Sequence, residues 1–160
     1  MDVVRLGFAT VKILSEPWNE YIIKDSKDVP LRGRLVLTKF IRIKDPAKGL
    51  GARIAQQSIF ATAAPDELMG TPSEKLPAPD QIPKEELTRL DSEIVKEDWN
   101  RYYVVEDKVT LRLRLLVTDV YKSSYFAADG EPYYIIISDT IGEALKEEEK
   151  GAKEEQPPHR

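Results

Sequence analysis

Trp18-Asn19-Glu20-Tyr21 leads, after a polar gap, into Leu31-Arg32-Gly33-Arg34-Leu35-Val36-Leu37-Thr38. The same phrase returns as Trp99-Asn100-Arg101-Tyr102 and Leu111-Arg112-Leu113-Arg114-Leu115-Leu116-Val117-Thr118. The two phrases hold the only tryptophans and the only asparagines of the 160 residues. They are offset by 81 residues at the tryptophans (99−18) and by 80 at the closing threonines (118−38). An internal repeat at this spacing sets the architecture before any other signal is weighed. It predicts a mainly β protein of two similar four-stranded antiparallel units, an internal duplication. The units would form a sandwich or a closed or partly open barrel, hiding their apolar faces and most of their edges.

Working outward from the phrase, alternation of apolar and polar residues predicts the first unit's strands at 3–14, 18–23, 31–43 and 54–63. Residues 64–83 are proline-rich. Pro83 then stands before Lys84-Glu85-Glu86-Leu87, which reads as a short helix ending near Asp91, with proline at its first position and acids in its first turn. The second unit repeats the plan at 93–96, 99–105, 109–122 and 132–138. The resulting division is a first β repeat over 1–73, a linker with one short helix over 74–92, a second β repeat over 93–145, and a charged flexible tail over 146–160.

In the long third strand of each unit the odd positions are apolar (Leu31, Leu35, Leu37, Ile41, Ile43; Leu111, Leu113, Leu115, Val117, Tyr121) and read as the core face. The even positions are basic at both ends. Lys39 and Asp119 occupy equivalent places on the apolar phase, as Glu20 and Arg101 do elsewhere. One such pair facing its opposite across a two-fold axis is one reading; charges standing in water at strand ends are the other. Trp18 and Trp99 read as core plugs, and Asn19 and Asn100 as residues that fix the backbone. With Tyr21 and Tyr102 they form the structural part of the repeat.

Composition excludes several chemistries. There is no cysteine, so there is no disulfide, thiolate metal site or cysteine nucleophile. The one histidine, His159, lies beside Pro157 and Pro158 at the extreme C-terminus, where it serves neither a triad nor a metal. Gly49-Leu50-Gly51 lies between strands and lacks the strand-to-helix setting of a phosphate loop. The acidic clusters have no calcium-loop spacing. No residue nominates itself as catalytic, and no cofactor, metal or membrane is implied. Scarce amides and abundant Lys, Arg and Glu resemble the bias of hyperthermophile proteins. The N-terminus lacks a basic segment followed by an apolar one, which gives a cytoplasmic protein as the expectation.

The expected function is therefore a non-enzymatic binding or assembly module that engages a protein partner or a second copy of itself. The alternative is single-stranded nucleic acid held on the repeated arginine-bearing strands, with Arg32, Arg34, Phe40, Arg42, Arg112 and Arg114 as the binding residues. The first 73 residues hold eleven basic and eight acidic residues, yet the whole chain carries a net charge of −4. A further alternative is a small-ligand binder or an enzyme with an unidentified site.

Overall fold

The stretches of alternating sequence form nine strands, and the computed structural model describes residues 2–146. They are β1 (Val4–Phe8), β2 (Val11–Ser15), β3 (Asn19–Lys24), β4 (Asp28–Asp45), β5 (Gly49–Thr62), β6 (Leu87–Lys96), β7 (Asn100–Val104), β8 (Val109–Phe126) and β9 (Pro132–Lys146). One antiparallel sheet, not closed into a ring, joins them in the order β1-β4-β3-β6-β8-β7-β2, with β5 added to β4 and β9 to β8. The tail expected over 146–160 lies, apart from Lys146, outside the described residues.

Two expectations are corrected. The helix ending near Asp91 is absent: one 3-10 turn, Lys84–Glu86, runs directly into β6. Residues 87–90 pair with 120–123 of β8, and residues 91–96 pair with β3. A helix there would have left both strands short of backbone partners, and that demand outweighs the local helix signal. The expected strand 3–14 is also broken. At Ala9-Thr10 the chain leaves β4 for β7; the Ala9 N–H donates to the Phe40 carbonyl, and the Thr10 N–H donates to the Glu106 carboxylate at 2.8 Å.

The opening segment of each half divides: its first part pairs within its own half, β1 with β4 and residues 87–90 with β8, and its second part crosses to the other half. β2 pairs with β7 through Ile13–Tyr102 and Ser15–Arg101, skipping Leu14. β6 pairs with β3 through Ile94–Tyr21 and Lys96–Glu20, skipping Val95. Each residue in the second set is 81 positions from its counterpart in the first (94−13, 102−21, 96−15, 101−20), so the spacing of the sequence phrase reappears as strand register.

A bulge in each long strand reverses its phase. Leu37 pairs with Gln56 and Lys39 with Ala55, leaving Thr38 as the extra residue. Val117 pairs with Ser138 and Asp119 with Ile137, leaving Thr118. Each extra threonine donates its hydroxyl across the ladder, Thr38 to the Ala55 carbonyl at 3.0 Å and Thr118 to the Ile137 carbonyl at 3.2 Å. An inserted residue turns every later side chain to the opposite face. Before the bulges the odd positions Leu31, Leu35, Leu111, Leu113 and Leu115 are buried, as alternation predicts. After them the even positions turn inward: Val120 is buried and Phe40 packs on the core. Lys39 and Asp119 therefore lie outside and do not pair with each other; Asp119 is held by Arg89 at 3.1 Å.

The core consists of two clusters, and both mix the halves. Tyr21, Ile23, Val29 and Leu31 pack with Val120 and Tyr134, while Leu35 packs with Tyr102, Leu111, Leu113 and Leu115. Each large apolar side chain taken fully from water contributes about 1.5–3 kcal/mol. Ion pairs between the halves frame these clusters: Arg42 with Asp107 at 2.6 Å, and Lys122 with Asp25 at 2.9 Å.

Candidate functional site

The arginines expected to bind a partner divide into three settings. The guanidinium of Arg32 lies 4.4 Å from the Trp18 ring centroid and that of Arg34 5.8 Å from it. Arg112 and Arg114 flank Trp99 at 4.3 and 5.8 Å. Arg42 and Phe40 lie elsewhere, Arg42 against Asp107 and Phe40 in the wall of a partly open cavity. The six residues do not form one surface. Most of their positive charge is already matched, with Arg34 facing Glu16, Arg114 facing Glu97 and Arg112 facing Glu143. A phosphate would have to displace these carboxylates. Among the described residues only Arg32 of the set has no carboxylate partner.

Trp18 and Trp99 are half-buried, each lying under two arginines rather than in the deep core. Asn19 and Asn100 are 2% exposed. The Asn19 Oδ1 accepts the Asp98 N–H at 3.0 Å; the residue equivalent to Asp98 is Pro17, which has no N–H to offer. Asn100 instead donates to the Leu35 carbonyl at 2.5 Å and to the Tyr102 hydroxyl at 2.9 Å. All of these contacts except Asn100–Tyr102 join one half to the other.

The residues missed from sequence are Glu16 and Glu97. Glu16 accepts the Tyr102 hydroxyl at 2.7 Å and the Leu37 N–H at 3.1 Å, and Glu97 accepts the Tyr21 hydroxyl at 3.2 Å. Their side chains are 7% and 6% exposed. Each stands two positions before its tryptophan, so extending the repeated phrase backwards to Glu-x-Trp-Asn-x-Tyr was the available signal.

Burial, followed by the charge of Glu97 and its hydrogen bond, pushes the Tyr21 phenol up to about 12. Tyr102 and Tyr134 are raised for the same leading reason, assisted by Glu16 and Asp25. A pKa raised by folding contributes stability that is complete below the ordinary tyrosine value of about 10 and lost as pH climbs toward the folded value. Of the seven tyrosines, these three are expected to stay protonated past that point and to ionise only as the protein unfolds. Phenolate absorbance followed beside circular dichroism tests this; all seven ionising while the fold persists would contradict it.

The largest cavity among those described has a volume of about 630 Å³ and lies between the two hairpins formed by β4–β5 and β8–β9. Phe40, Leu50, Ile54, Val109, Leu111 and Leu113 give it apolar walls, and Lys48, Lys146, Asp107 and Glu143 stand among its lining residues. No group of three or more potential metal ligands occurs among the described residues. No helix among them is long and apolar enough to cross a membrane. Comparison with family models, with curated proteins and with solved structures finds no match to this chain.

Proposed function

We propose that the protein is a non-enzymatic binding module whose partner is another polypeptide, taken up as an added strand along β5. The supporting observation is the state of that edge. β5 is 14 residues long, bonds only to β4 among the described strands, and carries one charge, Arg53. Ile59 on it is 47% exposed. Exposed edges are ordinarily guarded by charge, proline or brevity, because their free N–H and C=O groups recruit other strands. β9, which likewise bonds to one strand only among the described strands, follows that rule with Pro132, Asp139, Glu143 and Lys146. β5 does not, and strand addition supplies main-chain affinity with side-chain selectivity on alternate positions.

In this reading the chain is two fused copies of one strand unit. The equal spacing of the β2–β7 and β6–β3 registers supports duplication, and β5 and β9, each bonded to one neighbour only among the described strands, would be the free edges of a partly open barrel. Selection of random extended peptides against the protein tests the proposal. Enriched peptides are expected to alternate apolar and polar residues and to lose binding to the variant Ala55→Lys/Ile59→Lys. No enrichment, or enrichment indifferent to those two lysines, would end the reading. Nucleic acid is the weaker alternative, because the arginine pairs it would use are occupied by Glu16, Glu97 and Glu143.

A further inference from the structure

The two ends of the molecule share a strand plan but not a filling. Aligned by their bulges, β5 and β9 place equivalent residues opposite equivalent partners. Tyr134 pairs with Lys122 and Phe60 with Gly33. At the corresponding places Ala52 pairs with Arg42 and Gly142 with Leu113. One end therefore holds two aromatic rings where the other holds a methyl group and a hydrogen. Leu113 recovers part of the space above Gly142, lying 2.8 Å from where a Cβ there would stand. Ala52 lines the larger cavity. The filled end, lined by Phe60, Tyr134 and Ile136, retains about 150 Å³, against about 630 Å³ at the open end. The larger volume is within the range of small-molecule sites, and its walls are of the apolar kind such sites use.

The charged lining residues differ in their partners. Asp107 is held by Arg42, and Glu143 is held by Arg112. Lys48 and Lys146 also line the cavity and have no carboxylate partner among the described residues. A partly open apolar cavity with two lysines without carboxylate partners among its lining residues selects a particular chemistry. It takes an apolar body that excludes water from the walls and a single anionic head that stays at the lysines.

We propose that this cavity binds a medium-chain carboxylate, its chain between Phe40, Ile54 and Leu111 and its carboxylate at Lys48 and Lys146. The site shares the first residues of β5 with the edge proposed for strand addition, but it rests on the cavity alone and stands or falls without that reading. Isothermal titration with decanoate, and with decyltrimethylammonium as a ligand of equal chain and opposite charge, tests the assignment. Decanoate is expected to bind once per chain and the ammonium compound about tenfold more weakly or less well still. Ala52→Tyr, which restores the ring present at the other end, is expected to abolish decanoate binding while circular dichroism stays native. Lys48→Gln/Lys146→Gln changes only surface residues, so it tests the site even where the tyrosine is not accommodated. It is expected to weaken decanoate about tenfold and to erase the preference between the two heads. Absence of decanoate binding to the unaltered protein overturns the proposal. So does undiminished binding by folded Ala52→Tyr, or equal affinity for the two heads before the lysines are changed.

Discussion

Gly33→Leu is expected to destabilise the protein by about 1–3 kcal/mol through overpacking, and the second substitution Phe60→Gly is expected to return much of that loss. A Cβ at Gly33 would lie 2.8 Å from the Phe60 ring and 3.0 Å from Leu115 Cδ2, closer than side chains tolerate. The Gly33 backbone is not in the left-handed region, so the whole penalty is steric. Phe60→Gly alone empties a ring-sized space and is expected to cost about 3 kcal/mol or more. The pair belongs together because the other half already carries the exchanged arrangement. Gly33 pairs with Phe60 in β4–β5, whereas Leu113 pairs with Gly142 in β8–β9. Guanidinium unfolding of the two single variants and the double variant, at unchanged slope, measures the coupling. Simple additivity of the two losses would mean that the exchanged pair is not a packing unit.

Glu16→Ala is expected to be the most damaging substitution of a charged residue. It strands the Tyr102 hydroxyl, which is fully buried, and the Leu37 N–H, and it removes the carboxylate facing Arg34. Each orphaned donor costs about 1–3 kcal/mol when water cannot replace the lost partner. Arg34 is partly exposed and contributes little to the sum. Tyr102→Phe removes one of the stranded donors beforehand. In that background Glu16→Ala is expected to cost less than it does alone, and thermal unfolding of the four proteins reads the difference. An equal cost in both backgrounds would show that Tyr102 does not depend on Glu16.

The strand content and the position of the repeated phrase were legible because both follow from local pattern. Alternation located β3, β4, β7 and β8 within a few residues, and the paired Trp-Asn-x-Tyr marked the strands that carry the inter-half contacts. The core positions of β4 and β8 were legible as far as the threonines and no further. A bulge is set by which residue of the neighbouring strand finds a partner, and Thr38 in isolation looks like any outward-facing threonine. The short helix at Pro83 was misread for a related reason: its local signals are genuine, but β3 and β8 both require the backbone of 87–96. The arginine-bearing strands were found, while the carboxylates that occupy them were not.

By itself the sequence determined a cysteine-free, mainly β chain in which one phrase is used twice, because composition and alternation act over a few residues. The tertiary structure alone decided that each half lends the second part of its opening segment to the other, and that Glu16 and Glu97 become buried acceptors for tyrosines 86 and 76 residues away. It alone decided that one end is filled by Phe60 and Tyr134 while the other stays open. Those outcomes depend on backbone groups and side-chain volumes that meet only after distant segments pair.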